Sequence, residues 1–119
     1  MDWYAFKAYT RQYLAELNRD RKVIEYCLFQ PGLFTNYFTP YPSTKHIKPL
    51  EMQWDFVKRR AILREGSDND YITLTTAEDL RNVVAHAVDY SGEWPVSGGI
   101  RGSRISIKEF IALGEEIRG

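Results

Sequence analysis

Three features of the 119-residue sequence predict an α/β fold built on an incomplete parallel sheet. The run Val23–Gln30 places apolar side chains on both alternating faces, the pattern of a strand buried on both sides and typical of parallel sheets under helices. Three amphipathic patterns supply helices to cover such a sheet: residues 3–18, the stretch after Thr75-Thr76, and the stretch after Ser106. Only one strand is both long and apolar, too few to complete a sheet with two covered faces.

Each element has its own signal. Phe6, Tyr13, Leu14 and Leu17 recur at helical spacing over 3–18, flanked by Trp3 and Tyr9, with Asn18 placed to end the helix. Arg19-Asp20-Arg21-Lys22 makes a polar turn before the strand, and Pro31-Gly32 ends the strand. Residues 33–49 interleave Phe34, Tyr37, Phe38 and Tyr41 with Pro40, Pro42 and Pro49, which predicts a long irregular loop packing its rings against something. Arg60–Arg64 and Tyr71–Thr75 flank the turn-forming residues 65–70 and predict a hairpin or a pair of edge strands. In Thr75-Thr76-Ala77-Glu78-Asp79 a hydroxyl precedes a carboxylate by three positions, opening a helix whose buried stripe is Leu80, Val83, Val84, Ala87 and Val88. Trp94–Gly99 is a candidate short strand. Ser106-Ile107-Lys108-Glu109 opens the last helix, with Phe110, Leu113 and Ile117 expected to face inward. A helix starting almost at Met1 and a chain stopping at a helix end predict a fragment of a larger protein or a truncated gene product.

Composition narrows the function classes. With 44% hydrophobic, 27% charged and 14% aromatic residues, the chain is too apolar to be disordered. Sixteen basic residues balance sixteen acidic ones, so no net field draws it to nucleic acid or an anionic membrane. The charges are unevenly spread: residues 1–64 carry eleven Lys and Arg against six Asp and Glu, and residues 65–119 carry five against ten. Cys27 is the single cysteine, so no intrachain disulfide forms, and with no secretory leader the expected compartment is the cytosol. No apolar run approaches the roughly 20 residues of a membrane span. His46 and His86 lack the clustered partners of a metal site, so no metal is expected.

Several residues invite a chemical reading. Lys7 sits on an aromatic helix beside Tyr4 and Phe6; desolvated there it would act as a general acid or bind a ribose, and otherwise it is a surface lysine with its stem along apolar neighbours. Pro31-Gly32-Leu33-Phe34 follows the buried strand, where ligands gather in open α/β sheets. Gly32 would allow close backbone approach and Phe34 would cover a flat ring, or the segment is a strand-ending turn with a core aromatic. Gly98-Gly99-Ile100-Arg101-Gly102 lacks the downstream acidic residue of a dinucleotide fingerprint and reads as a turn. Lys58-Arg59-Arg60 beside Trp54 and Phe56 reads as a solvated strand entry, with a cofactor 2′-phosphate as the other option. Asp55, Asp79 and His86 have no nucleophile at hydrolase-like spacing.

Taken in order, these segments resemble the C-terminal half of NmrA-like proteins, the atypical short-chain dehydrogenase group that includes isoflavone reductase-like enzymes. The resemblance rests on Trp-Tyr-Ala-Phe-Lys at 3–7, the run Ile24–Phe38, Leu-Thr-Thr-Ala-Glu-Asp-Leu at 74–80, and Gly-Gly-Ile-Arg-Gly at 98–102. It implies that the chain is the C-terminal, substrate-side portion of a Rossmann-like doubly wound sheet that binds NADP, with the N-terminal dinucleotide-binding half absent. By the same resemblance Lys7 is the helical lysine near nicotinamide and ribose. Pro31, Gly32 and Phe34 line the cofactor, and Phe34, Tyr37 and Phe38 face the substrate. Tyr4 and Lys7 are one residue closer than the Tyr-x-x-x-Lys pair of short-chain dehydrogenases, which withholds the proton-donor role from Tyr4.

Two functions follow as expectations. In one, the parent transfers hydride from NADPH to a small organic acceptor, and this chain alone does not turn over. In the other, the parent senses NADP(H) and signals to a protein partner through the aromatic loop 33–42, without catalysis. A truncated product without function is the third expectation. No nucleic acid, membrane or metal partner is expected.

Overall fold

The computed structural model describes residues 4–39, 45–50 and 52–119. Trp3, Pro40, Tyr41 and Pro42, to which the sequence assigned parts of a helix and of the aromatic loop, lie outside the described residues. The architecture is α/β with small parallel and mixed sheets, and the chain divides into two compact units.

The first unit takes the residues up to Phe29 together with Ser91–Gly98. Its helix α1 (Ala5–Leu17) ends where the sequence predicts, with the Asn18 amide closing on the Ala15 and Glu16 carbonyls. The apolar stripe read from the sequence is covered only in part: Leu14 and Leu17 are half-buried, whereas Phe6 and Tyr13, with the flanking Tyr9, are exposed. The predicted strand Val23–Gln30 is also corrected, because β1 covers only Leu28–Gln30, and Val23 and Ile24 are exposed. Asn18 supplies the physical reason. Its Oδ1 accepts from the amides of Val23 (2.9 Å) and Ile24 (3.1 Å), and its Nδ2 donates to the Ile24 carbonyl (2.8 Å). Backbone groups satisfied by a side chain have no need of a strand partner. Strand β1 pairs with β6 (Ser97–Gly99), the core of the candidate strand at 94–99. Phe29 meets Trp94 edge to face at 5.6 Å, and a Cβ at Gly98 would lie 2.7 Å from Cys27 Sγ. Lys22 Nζ reaches Glu93 at 2.5 Å, and Glu25 accepts the Trp94 amide at 2.7 Å.

The second unit, Gln30–Tyr90 with Gly99–Gly119, holds the core. Its three-stranded sheet runs in the order β2 (Leu33–Phe34), β5 (Tyr71–Thr75), β7 (Ser103–Ser106). Strands β2 and β5 are parallel, with Leu33 opposite Leu74 and Phe34 opposite Thr75. Strands β5 and β7 are antiparallel, with Ile72 opposite Ile105. The sheet is therefore mixed where a purely parallel one was expected. The hairpin or pair of edge strands expected at 60–64 and 71–75 is replaced by other pairings: β4 (Arg60–Ala61) pairs antiparallel with β3 (Trp54–Asp55), and β5 is the central strand of its sheet. The expected loop 33–49 begins as β2 and a 3-10 turn, Thr35–Phe38.

Helix α2 (Ala77–Val88) starts on Thr76, whose side chain accepts the Asp79 amide. Leu80, Val83 and Ala87 are half-buried, but Val84 and Val88 are exposed, so the inward stripe is narrower than predicted. Helix α3 (Ile107–Arg118) opens with the predicted capping box between Ser106 and Glu109. Its buried residues are Ile107, Phe110 and Gly114, whereas Leu113 and Ile117 are exposed against expectation. The helix turns its glycine inward because the Phe56 ring lies on it: a Cβ at Gly114 would sit 2.2 Å from that ring. Trp54, Leu74, Ile107 and Phe110 form the core, and Phe110 makes T-shaped contacts with Phe38, Trp54 and Phe56 at 5.0–5.6 Å between ring centres.

Candidate functional site

The carboxyl ends of the parallel strands β2 and β5 lead directly into the 3-10 turn and helix α2. A cavity of about 470 Å³ opens there, walled by Phe34 at the end of β2, by Ala77, Leu80 and Val84 of α2, and by Ile47. Its polar lining is Glu78, Arg81 and His46. The volume lies within the usual range of small-molecule sites, about 300–1,000 Å³.

Buried polar bonds hold this wall in place. Asn36 in the 3-10 turn is 4% exposed, and its Oδ1 accepts the Ala77 amide at 2.8 Å, satisfying a free donor of the α2 N-terminus. Thr75, 1% exposed, accepts from Thr35 Oγ1 through its carbonyl (3.5 Å) and from the Gly102 amide through its own Oγ1 (3.4 Å). Gly102 approaches so closely that a Cβ would lie 2.9 Å from the Leu74 carbonyl oxygen. Gly98 and Gly102 thus serve packing, while a Cβ at Gly99 would meet open space, and the turn read from the sequence at 98–102 is corrected, because Gly98 and Gly99 belong to strand β6.

The residues singled out by sequence fall in different surroundings. Phe34 borders the cavity and meets Tyr37 edge to face at 5.9 Å. Gly32 has φ +72°, and a Cβ there would stand 2.2 Å from the Thr73 carbonyl oxygen. Its need for glycine is met by the neighbouring strand rather than by a ligand. Pro31 is half-buried beside it. Phe38 turns from the cavity into the aromatic core, and Tyr37 and Phe38 together border a separate cavity of about 240 Å³ reaching Trp54 and Lys58. Lys7 belongs to the other unit, is exposed, and holds its ammonium 5.3 Å from the centre of the Tyr4 ring, a cation–π contact.

Sequence reasoning missed Asn36, Ile47 and Arg81. Asn36 carried no signal, because its partner lies 41 positions away. Arg81 follows Leu80 on the polar side of the α2 pattern and reads as solvated until the cavity is seen.

At Lys58-Arg59-Arg60 the centre of attraction is Asp55. It is buried, with Oδ1 accepting the Lys58 amide at 3.0 Å and Oδ2 lying 3.4 Å from Arg60 Nε and 3.6 Å from Lys58 Nζ. The Lys58 amide first, then the Lys58 and Arg60 charges, hold its carboxyl below the usual carboxylate range against partial desolvation.

Among the described residues no group of three or more His, Cys, Asp or Glu is arranged to hold a metal ion, and no helix is long and apolar enough to cross a membrane. Comparison with family models, curated proteins and solved structures gives no match for this chain.

Proposed function

We propose that this chain is the substrate-side portion of an NADP-dependent oxidoreductase of the NmrA-like type, whose whole protein transfers hydride from NADPH to a small conjugated or aromatic acceptor. The observation that carries the proposal is the Phe34 cavity at the carboxyl ends of two parallel strands, the position where open α/β sheets take their ligands. Phe34 offers a ring face to nicotinamide or to a flat acceptor, while Ile47, Leu80 and Val84 exclude water around it. Arg81 supplies a guanidinium for an anionic group of the ligand. These residues suit the flat-ring end of the cofactor; the pyrophosphate and adenosine would fall to the N-terminal half. NADPH, when bound, supplies the hydride. Lys7 orients the cofactor or relays a proton by the resemblance alone.

The sensor reading relied on the aromatic loop as an exposed surface. Phe34, Tyr37 and Phe38 are half-buried and packed ring against ring, which favours a pocket over a partner surface.

The test is NADPH oxidation by the polypeptide extended upstream through its reading frame, with conjugated carbonyl compounds as acceptors. Turnover lowered at least tenfold by Phe34→Ala supports the reading. An extended protein that binds NADPH yet fails to oxidise it with any of the acceptors favours the sensor, and Lys7→Ala with unchanged turnover removes Lys7 from the mechanism.

A further inference from the structure

We draw no further inference here: the strongest candidate, the cavity of about 240 Å³ between the 3-10 turn and β3 that Trp54, Asp55 and Lys58 border, carries nothing, because its two polar atoms without a hydrogen-bond partner, Trp54 Nε1 and Asp55 Oδ2, are themselves buried and present no exposed surface to a ligand, and Asp55 is already ion-paired with Lys58 and Arg60.

Discussion

Asn36 Oδ1 accepts the Ala77 amide at 2.8 Å, joining the turn that follows β2 to the first residue of α2 across 41 positions of sequence. The bond ties the turn two residues after Phe34 to Ala77, both Phe34 and Ala77 being wall residues of the cavity. Asn36→Ala should therefore lower unfolding free energy by about 1–3 kcal/mol, the cost of leaving a buried donor unpaired. Urea denaturation reads that loss. A change within 0.5 kcal/mol, roughly the scatter of surface substitutions, would show that water replaces the side chain at no cost.

Gly32 and Gly66 both have positive φ, +72° and +78°, but only Gly32 faces a neighbour. Gly66→Ala should cost about 1 kcal/mol, the left-handed penalty alone. Gly32→Ala adds a collision with the Thr73 carbonyl and should separate β2 from β5, costing several times more. Equal thermal shifts in the two variants would mean that β2 is not held as described.

Helix α3 gives a third comparison. Gly114→Ala gains helix propensity of about 1 kcal/mol yet drives a methyl into the Phe56 ring, so a net loss of about 1–2 kcal/mol is expected in chemical denaturation. Ile117→Ala, at an exposed position, should fall within about 0.5 kcal/mol of wild type. A reversed order would restore the inward face expected from the sequence.

Acid should weaken the fold through three carboxylates, Glu25, held low first by the Trp94 amide, in the first unit and Asp55 and Glu109 in the second. Asp55 is held low by the Lys58 amide and then by the Lys58 and Arg60 charges; Glu109 is held low by the Ser106 hydroxyl and then by the Ser106 amide. A carboxyl more acidic in the folded chain than in the unfolded one stabilises fully above the unfolded value, about 4, and less as pH falls through that value toward the folded one. The urea midpoint should thus be level from about pH 7 to 5 and decline below it. Asp55→Asn should flatten the decline, and Ser106→Ala, which also removes a cap worth about 1 kcal/mol, should flatten it further.

Much of this was legible in local chemistry. Thr76 and Ser106 start helices where their hydroxyls precede an acidic residue by three positions, because a cap needs nothing beyond its own turn. Phe110 was legible as core for the same local reason. The strand at 23–30 was not, because Asn18 captures the Val23 and Ile24 backbone and no apolar pattern encodes that competition. Nor was the face of α3, where Leu113 and Ile117 look more apolar than Gly114 yet Phe56, 58 positions earlier, selects the glycine. Phe34 was found by its place after a strand, whereas Arg81 and Ile47 join it only through tertiary packing.

Phe34 is proposed to border the ring end of an NADPH site, and calorimetric titration of NADPH into the upstream-extended wild type and its Phe34→Ala variant tests that role most directly. Saturable binding by the wild type, weakened at least tenfold by Phe34→Ala with the melting temperature within a few degrees, is the predicted result. Equal affinity in the two proteins, or no binding by a cooperatively folded wild type, would contradict it.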